Sequence, residues 1–152
     1  MKKRKARITL SIEDARWRDI DVKLVRSAVA RTLARTGCEG ELTLLLSSDD
    51  RLCALNARYR GKCRPTNVLS FPARDVAGYL GDVAIGFGVA QKEAAGSGRL
   101  LTHHAAHLAV HGVLHLLGYD HGKAREARVM EGLEAAILAE MGIADPYRTA
   151  AE

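Results

Sequence analysis

The sequence predicts an α/β (α+β) fold, a single domain in which one four-stranded mixed sheet packs against about five helices. Apolar residues alternate with polar ones in some segments and recur every three or four residues in others, in the order β-α-β-α-β-β-α-α-α. No repeat or Pro/Ser-rich linker divides the 152 residues. The early β-α-β unit suits a parallel strand pair and favours a mixed sheet over an antiparallel one. We predict one domain over residues 1–152, with residues 1–6 as a basic, flexible arm.

Two strands and two helices are predicted in the first half of the chain. Residues 7–12 alternate apolar and polar side chains as a half-buried strand does, and residues 41–46 form the second strand. Between these two strands, a helix is predicted by apolar residues at helical spacing, Val22, Val25, Val29 and Leu33. Gly37 is its expected end. Ser48 and Asp49 are suited to cap a second helix, whose apolar face comprises Leu52, Leu55 and Tyr59.

The second half of the chain supplies two further strands and three helices. Residues 67–71 and 79–85 are the predicted strands. A short helix over residues 89–95 precedes a long one over residues 100–117, which ends at Gly118. The last helix is amphipathic, with an apolar face made of Met130, Leu133, Ile137 and Met141. Because the helix over residues 100–117 is apolar nearly all round, we expect it to be central and buried.

Composition and charge exclude several classes of protein. Hydrophobic residues make up 47% and charged residues 27%, a globular rather than a disordered composition. No apolar run approaches the ~20 residues that span a bilayer, and no signal peptide follows the basic N-terminus, so we predict a cytoplasmic protein that does not contact membranes. Cys38, Cys53 and Cys63 lack CxxC spacing and predict reduced, mostly buried thiols. The net charge of +5 favours a polyanionic partner.

Three histidines in HGVLHLLGYDH predict a single metal site, with zinc as the expected ion. His111 and His115 stand four residues apart and so lie on one face of a helix, one turn apart. Gly118 is suited to the left-handed conformation that reverses the chain and returns His121 to the same point. Three neutral imidazoles suit one Zn²⁺ per chain and leave a fourth position for water, as in catalytic zinc sites. The alternative is two hydrogen-bonded core histidines and a third that is exposed by chance.

Three further residues near the trio have open roles. His104 and His107 fall on nearly the same stripe of the helix as the trio, where they either support the site or are hydrogen-bonded structural histidines. We favour the structural interpretation. Asp120 either orients a ligating imidazole, as carboxylates beside metal sites do, or serves as a cap or an exposed side chain.

The spacing of the trio is identical to that of the metzincin metalloproteases. Those enzymes need a glutamate directly after the first histidine to activate water. Gly112 occupies that position here, so the general base of peptide hydrolysis is missing from the motif. A protease is therefore disfavoured, although a carboxylate from elsewhere in the chain would restore the possibility.

Residues 55–72 carry the cations that phosphate chemistry needs. In phosphodiester hydrolysis a metal activates water, and an arginine stabilises the charge that develops on the phosphate. The candidate cations are Arg58, Arg60, Lys62 and Arg64. They lie around the predicted end of a helix and the turn residues Gly61 and Pro65. Alone they would indicate a solvated loop. Beside a metal cleft in a positively charged chain they predict phosphate binding.

The sequence resembles the YbeY endoribonuclease family of bacterial rRNA maturation factors. YRGKCRPTNVLSFP is similar to the family's YRGKxxPTNVLSFP stretch, LGDVAIG to its LGD strand, and HGVLHLLGYDH to its H-x3-H-x5-H signature. MGIADPY resembles the family's C-terminal end, so the similarity covers about residues 41–147. Cys63 and Arg64 occupy positions that the family varies, and Arg64 therefore carries little weight.

The resemblance implies a zinc-dependent, single-strand-specific endoribonuclease that acts in 16S rRNA 3′-end maturation and ribosome quality control. It implies that His111, His115 and His121 bind the metal and that Arg60 is the catalytic arginine, while Arg58, Lys62 and Arg64 are our candidates for substrate binding. The implied partners are single-stranded RNA and the small ribosomal subunit, with a small-subunit ribosomal protein and the GTPase Era.

Two other functions fit the same residues. A ribosome-assembly factor would bind rRNA through its basic residues and hold a metal that is mainly structural. A metallohydrolase of another substrate class would need a general base from outside the motif. The sequence leaves open the general base, the attacking nucleophile and the physiological metal.

Overall fold

A four-stranded sheet runs through the protein in the order β1-β2-β4-β3. The structure is a computed structural model, and it describes residues 7–64, 66–73 and 75–148. The strands are β1 (Arg7–Ile12), β2 (Glu41–Ser47), β3 (Val68–Pro72) and β4 (Tyr79–Gly86). β2 pairs in parallel with both β1 and β4, whereas β3 pairs antiparallel with β4 at the edge. The prediction of a four-stranded mixed sheet is therefore confirmed.

The described residues form five α-helices that pack on this sheet or on one another, and their bounds differ from the predicted ones by a few residues. They are α1 (Val22–Thr36), α2 (Asp49–Arg60), α3 (Phe87–Gly96), α4 (Leu101–Leu116) and α5 (Ala124–Glu140). A short 3₁₀ helix (Ala15–Asp19) follows β1, and the sequence pattern did not predict it. Its Trp17 is fully buried and donates a hydrogen bond from Nε1 to the Ser47 carbonyl at 2.8 Å, which ties this helix to the end of β2.

The boundaries of α2 follow from the residues that cap it. The Ser48 hydroxyl accepts a hydrogen bond from the Arg51 N–H at 3.1 Å, which satisfies one of the free donors at the start of the helix. Gly61 ends the helix with a φ of 76°, a conformation that L-residues with a side chain rarely adopt. The chain therefore reverses immediately after Arg60, so the basic segment folds back along the helix end.

The core lies mainly on one face of the sheet, with α4 at its centre. α4 contacts β3 and β4 on one side and α1, α3 and α5 on the others. Its inward positions are almost entirely shielded from solvent, and they include Ala105, Ala109, Val110, Val113 and Leu114. α2 covers the opposite face through a smaller cluster around Leu52 and Leu69. The prediction of a central, buried helix is confirmed, and this position gives α4 a rigid setting.

Two predictions about α2 and its flanking loop need correction. Tyr59 lies on the predicted apolar face and packs on Phe71, but it is 61% exposed because the last turn of α2 extends beyond the buried residues of that cluster. The sequence predicts reduced thiols for the cysteines. Cys53 and Cys63 instead lie in disulfide contact with Cα atoms 4.5 Å apart, because the turn at Gly61 returns the chain to the helix. Cys38 is free.

Some predictions concern residues outside the part that the structure describes. These are the basic arm over residues 1–6 and the turn residue Pro65. The assignment of residues 1–152 to one domain accordingly stays a prediction. Within the described ranges, no helix is both long and apolar enough to cross a membrane.

Candidate metal centre and its cleft

Two helical histidines and one loop histidine form the candidate metal centre. His111 and His115 lie on successive turns of α4 with ring centroids 4.7 Å apart. The ring of His121 lies 5.4 Å from that of His111 and 4.9 Å from that of His115. One nitrogen from each ring lies within 4.8 Å of the others, which is close enough for all three to coordinate one ion. The three histidines are thus positioned to hold a metal ion, as the spacing predicted.

The return of the chain to His121 depends on the turn after α4. Gly118 has a φ of 98°, and the Tyr119 N–H donates to the Leu114 carbonyl at 3.0 Å to close the helix end. Asp120 Oδ1 then accepts a hydrogen bond from the backbone N–H of His121 at 2.7 Å. Asp120 therefore holds the loop backbone in the described structure, which favours the capping interpretation over the orientation of an imidazole.

A buried carboxylate on α5 supports the trio from behind. Glu134 is 0% exposed, and its Oε1 accepts a hydrogen bond from His111 Nδ1 at 2.6 Å. Its Oε2 lies 2.8 Å from His107 Nε2 and also accepts a hydrogen bond from the Tyr147 hydroxyl. Because Nδ1 of His111 carries the proton of this bond, Nε2 keeps the lone pair that a metal needs. Glu134 thereby selects the tautomer and the orientation of His111.

The ionisation of these buried groups suits a metal site. Burial alone would raise the pKa of Glu134, but hydrogen bonds from His107, His111 and Tyr147 outweigh it and lower this pKa to about 2. Burial lowers the pKa of His115, and its two histidine neighbours lower it further. The carboxylate is therefore ionised and the His115 imidazole neutral near pH 7, the forms that support and bind a metal.

The remaining histidines on the stripe of α4 have structural partners. His104 Nε2 lies 3.0 Å from Glu93 Oε1, which also accepts a hydrogen bond from the Asn67 side-chain amide at 3.0 Å. His107 is engaged by Glu134. Both histidines are therefore hydrogen-bonded, His104 to Glu93 and His107 to the carboxylate that also holds His111.

The position of the missing protease glutamate leaves little room for a side chain. A Cβ atom on Gly112 would lie 2.5 Å from Val83 Cγ1, closer than such atoms approach, and 3.0 Å from Val68 Cγ2, which is a tight contact. The Ser70 hydroxyl also donates a hydrogen bond to the Gly112 carbonyl at 2.7 Å, which fixes α4 against β3. A glutamate at this position would therefore force the contact between α4 and the sheet to shift, and this strengthens the argument against a metzincin-like protease.

The trio opens into a cleft of 780 Å³. The end of α2, the edge strand β3 and the loop after α4 form its walls. Of the four predicted cations, Arg60 and Arg64 line this cleft, whereas Arg58 and Lys62 are exposed and do not line it. Among the described lining residues, Asp120 is the sole carboxylate. The structure thus brings two arginines and three histidines to one cavity.

The edge strand β3 adds backbone donors to the same wall. Backbone hydrogen bonds to β4 at the flanking residues Asn67 and Ala73 set the alternation of the antiparallel pair, so the N–H groups of Val68 and Ser70 point away from β4. Both residues line the cleft. Pro72 at the end of the strand has no N–H to donate, which limits pairing with another strand. These two N–H groups and the arginines give the wall donors that suit an anion.

Sequence reasoning missed several members of the site. Glu134, Tyr147 and Ser70 lie 23, 36 and 41 residues from His111 along the chain and show no spacing relation to the trio. One sequence signal did point to Glu134. It is a charged residue that lies on the apolar face of the last helix, directly after Leu133. A buried charge must be paired, and the trio offers the partner.

The fold and the site define a class of protein: a mixed α+β domain in which three histidines are positioned to hold a metal ion, in a cleft that two arginines also line. Comparison with known proteins gives the family. The family profile described as Endoribonuclease YbeY matches residues 3–142. An Endoribonuclease YbeY from Ruegeria pomeroyi is 44% identical over 92% of this chain and 97% of its own length. One from Rhodopseudomonas palustris strain HaA2 is 48% identical over 83% of this chain and 70% of its own length.

The chain therefore belongs to the YbeY endoribonuclease family. A protein from Thermotoga maritima whose structure was determined in solution has the same fold, with a TM-score of 0.60 at 22% identity. That match covers 93% of this chain and 99% of the Thermotoga chain. The family predicted from the sequence motifs and the predicted fold class are both confirmed.

Proposed function

We propose that this chain is a zinc-dependent, single-strand-specific endoribonuclease that acts in 16S rRNA 3′-end maturation and in ribosome quality control. The observation that carries the proposal is the convergence of three histidines and Arg60 on one cleft, in a member of an endoribonuclease family. Three nitrogen ligands suit Zn²⁺ and leave a coordination position open, as catalytic zinc sites do.

The residues of the site fit the demands of phosphodiester hydrolysis. When bound, Zn²⁺ would lower the pKa of a water molecule and polarise a phosphoryl oxygen. His111, held by Glu134, and the neutral His115 keep their nitrogens directed to a common point with His121. Arg60 would stabilise the negative charge that develops on the phosphate, because its guanidinium presents paired N–H donors.

The cleft walls support a polyanionic strand as substrate. Arg60 and Arg64 lie on the α2 side, and the N–H groups of Val68 and Ser70 point outward from β3. Arg58 and Lys62, which are exposed beside the cleft, would contact phosphates farther along the strand. Cations distributed in this way bind a phosphate backbone without reading its sequence.

The cellular setting follows from the same proposal. A factor that matures 16S rRNA would work in the cytoplasm on the small ribosomal subunit, and a small-subunit ribosomal protein and the GTPase Era would be its protein partners. One Zn²⁺ per chain and a single-stranded rRNA segment complete the expected assembly.

The test is a cleavage assay on single-stranded and double-stranded RNA of the same sequence. Zinc-loaded protein, chelated protein and the His115→Ala variant would be purified identically and compared. We expect cleavage of the single strand by the zinc-loaded protein alone. Arg60→Ala should lower turnover by about 10²- to 10³-fold, the usual effect of losing a donor to a developing anion, whereas Arg51→Ala on the first turn of α2 should cleave like wild type.

The outcomes separate the proposed function from its alternatives. Binding of rRNA without cleavage by rigorously purified, zinc-loaded protein would favour an assembly factor with a structural metal. Equal cleavage by Arg60→Ala and wild type would refute the role of Arg60. Hydrolysis of peptides but not RNA would point to a metallohydrolase of another class.

A further inference from the structure

The last turn of α2 presents an aromatic ring to solvent beside the cleft. Tyr59 is 61% exposed, although the preceding apolar positions of the same helix face, Leu52 and Leu55, are buried. It lies between Arg58 and Arg60, of which Arg60 lines the cleft. Isolated exposed aromatic residues are common and need no explanation. The surroundings of Tyr59 distinguish it from such a residue.

The ring of Tyr59 is held in place from one side. Its centroid lies 4.7 Å from that of Phe71, with an angle of 37° between the ring planes. Phe71 belongs to β3 and is anchored in the cluster with Leu52 and Leu69. The neighbours of Phe71 along the strand, Ser70 and Pro72, line the cleft. The Tyr59 ring therefore rests on the strand that forms the cleft wall, just outside the residues that line the cleft, and most of its surface is exposed to solvent.

Two polar groups accompany this ring. The guanidinium carbon of Arg58 lies 5.9 Å from the centroid of the Tyr59 ring, within the range of a cation–π contact. One turn earlier on α2, Asn56 is 8% exposed and lines the cleft. Its buried Oδ1 has no hydrogen-bond partner among the described residues, which is a costly arrangement unless a ligand supplies a donor.

We propose that Tyr59, supported by Phe71, is a stacking platform for one unpaired base of the RNA substrate. The inference rests on the proposed function for the identity of the strand, and it adds a subsite outside the histidine centre. Every base has a planar face, so stacking on the ring holds the strand without selecting its sequence. Asn56 Oδ1 would accept a hydrogen bond from a base amino group of the same segment.

The platform explains a preference for single strands. A base that stacks on Tyr59 cannot at the same time remain stacked within a duplex, so a paired strand would have to open before it entered the cleft. Single-stranded RNA avoids that cost. The subsite thus supplies discrimination that the phosphate contacts of Arg60 and Arg64 do not provide, because both kinds of strand carry phosphates.

The test scans a strand for the base that occupies the platform. The probe is a nuclease-resistant single strand of about eight nucleotides (2′-O-methyl sugars and phosphorothioate linkages), within the usual range of strand-binding site sizes. A set of probes, each lacking one base, is titrated against zinc-loaded wild type, Tyr59→Leu and Tyr59→Phe, and the Kd is measured by fluorescence anisotropy. Leucine keeps an apolar cover over Phe71 but removes the ring, whereas phenylalanine keeps the ring.

We expect one abasic position to weaken binding to wild type and Tyr59→Phe by about 5- to 150-fold, the range of base–aromatic stacking. Tyr59→Leu should bind the intact probe more weakly by the same factor. Removing the base at that position should then have no further effect on its Kd. 2-Aminopurine at that position should be quenched by wild type, a measurement that does not require a variant. Leu100→Ala, which truncates another exposed side chain away from the cleft, should match wild type.

The platform is overturned if removing each base in turn affects Tyr59→Leu and wild type equally. It is also overturned if no missing base weakens binding to wild type. Absence of probe binding overturns it as well. Cleavage of single-stranded RNA is recorded separately on each protein. If the protein cleaves RNA but no missing base weakens binding, the platform alone is refuted. If a missing base weakens binding but the protein does not cleave RNA, only the catalytic part of the proposed function is refuted.

Discussion

At the residue scale, Glu134 determines how one of the three candidate metal ligands is held. It is a fully buried carboxylate that contacts His111 and links it to His107 and to Tyr147 near the C-terminal end of the described chain. Groups that hold a ligating imidazole in this way fix its tautomer and orientation. The orientation of His111 therefore depends on a residue that is not itself one of the three candidate ligands.

Replacing Glu134 by glutamine tests this dependence. Glu134→Gln keeps the volume but removes the charge, and we expect zinc affinity to fall about 10- to 100-fold, the usual effect of changing a partner of a metal ligand. Competition with a chromophoric chelator measures the affinity. Glu126→Gln, at the exposed start of α5, is the matched control and should leave the affinity unchanged. Unaltered zinc affinity in Glu134→Gln would contradict this account.

Gly112 has a different importance at the residue scale, because its lack of a side chain permits the contact between α4 and β3. Gly112→Ala should destabilise the fold by about 1–3 kcal/mol through overpacking against Val83 and Val68. Gly132→Ala on α5 has open space around the added methyl group and should stabilise the protein by about 0.5–1 kcal/mol. Urea unfolding of both variants gives the comparison, and equal effects would refute the packing argument.

The elements of the fold show what periodicity predicts and what it does not. Strand alternation and helical spacing located β1, α1 and α4 because those segments bury one face or all faces against neighbours. The spacing of Leu52, Leu55 and Tyr59 correctly identified one face of α2. It did not reveal that the final turn meets only the partly buried Phe71 near the end of β3, which leaves Tyr59 largely exposed.

The end of α2 also accounts for the cysteine pair. Cys53 and Cys63 are ten residues apart, and only the left-handed turn at Gly61 brings them together. We expect the denatured, unreduced protein to show one titratable thiol, that of Cys38, and the Cys38→Ser variant to show none. Thiol titration with a chromogenic disulfide gives the count. Three thiols in wild type would mean that the pair stays reduced.

At the scale of the whole molecule, three segments that are distant in sequence meet at one cleft: the end of α2, the edge strand β3, and α4 with the loop after it. The trio was predictable because its members lie within eleven residues, where helix geometry and one glycine determine their positions. Glu134 was not predictable, because its contact with His111 arises from the packing of α5 on α4 across 23 residues. The same applies to Ser70, whose bond to Gly112 spans 42 residues. Local spacing therefore predicted the ligands, whereas tertiary packing supplies the groups that support them.

The central claim is that one metal ion held by the three histidines is required for RNA cleavage. The most direct measurement is a titration of metal-free protein with Zn²⁺ that follows bound metal and the rate of single-stranded RNA cleavage together. We predict that the rate rises with bound zinc, reaches its maximum at about one ion per chain, and stays at background for His115→Ala. Full cleavage by metal-free protein, or by His115→Ala, would contradict the account.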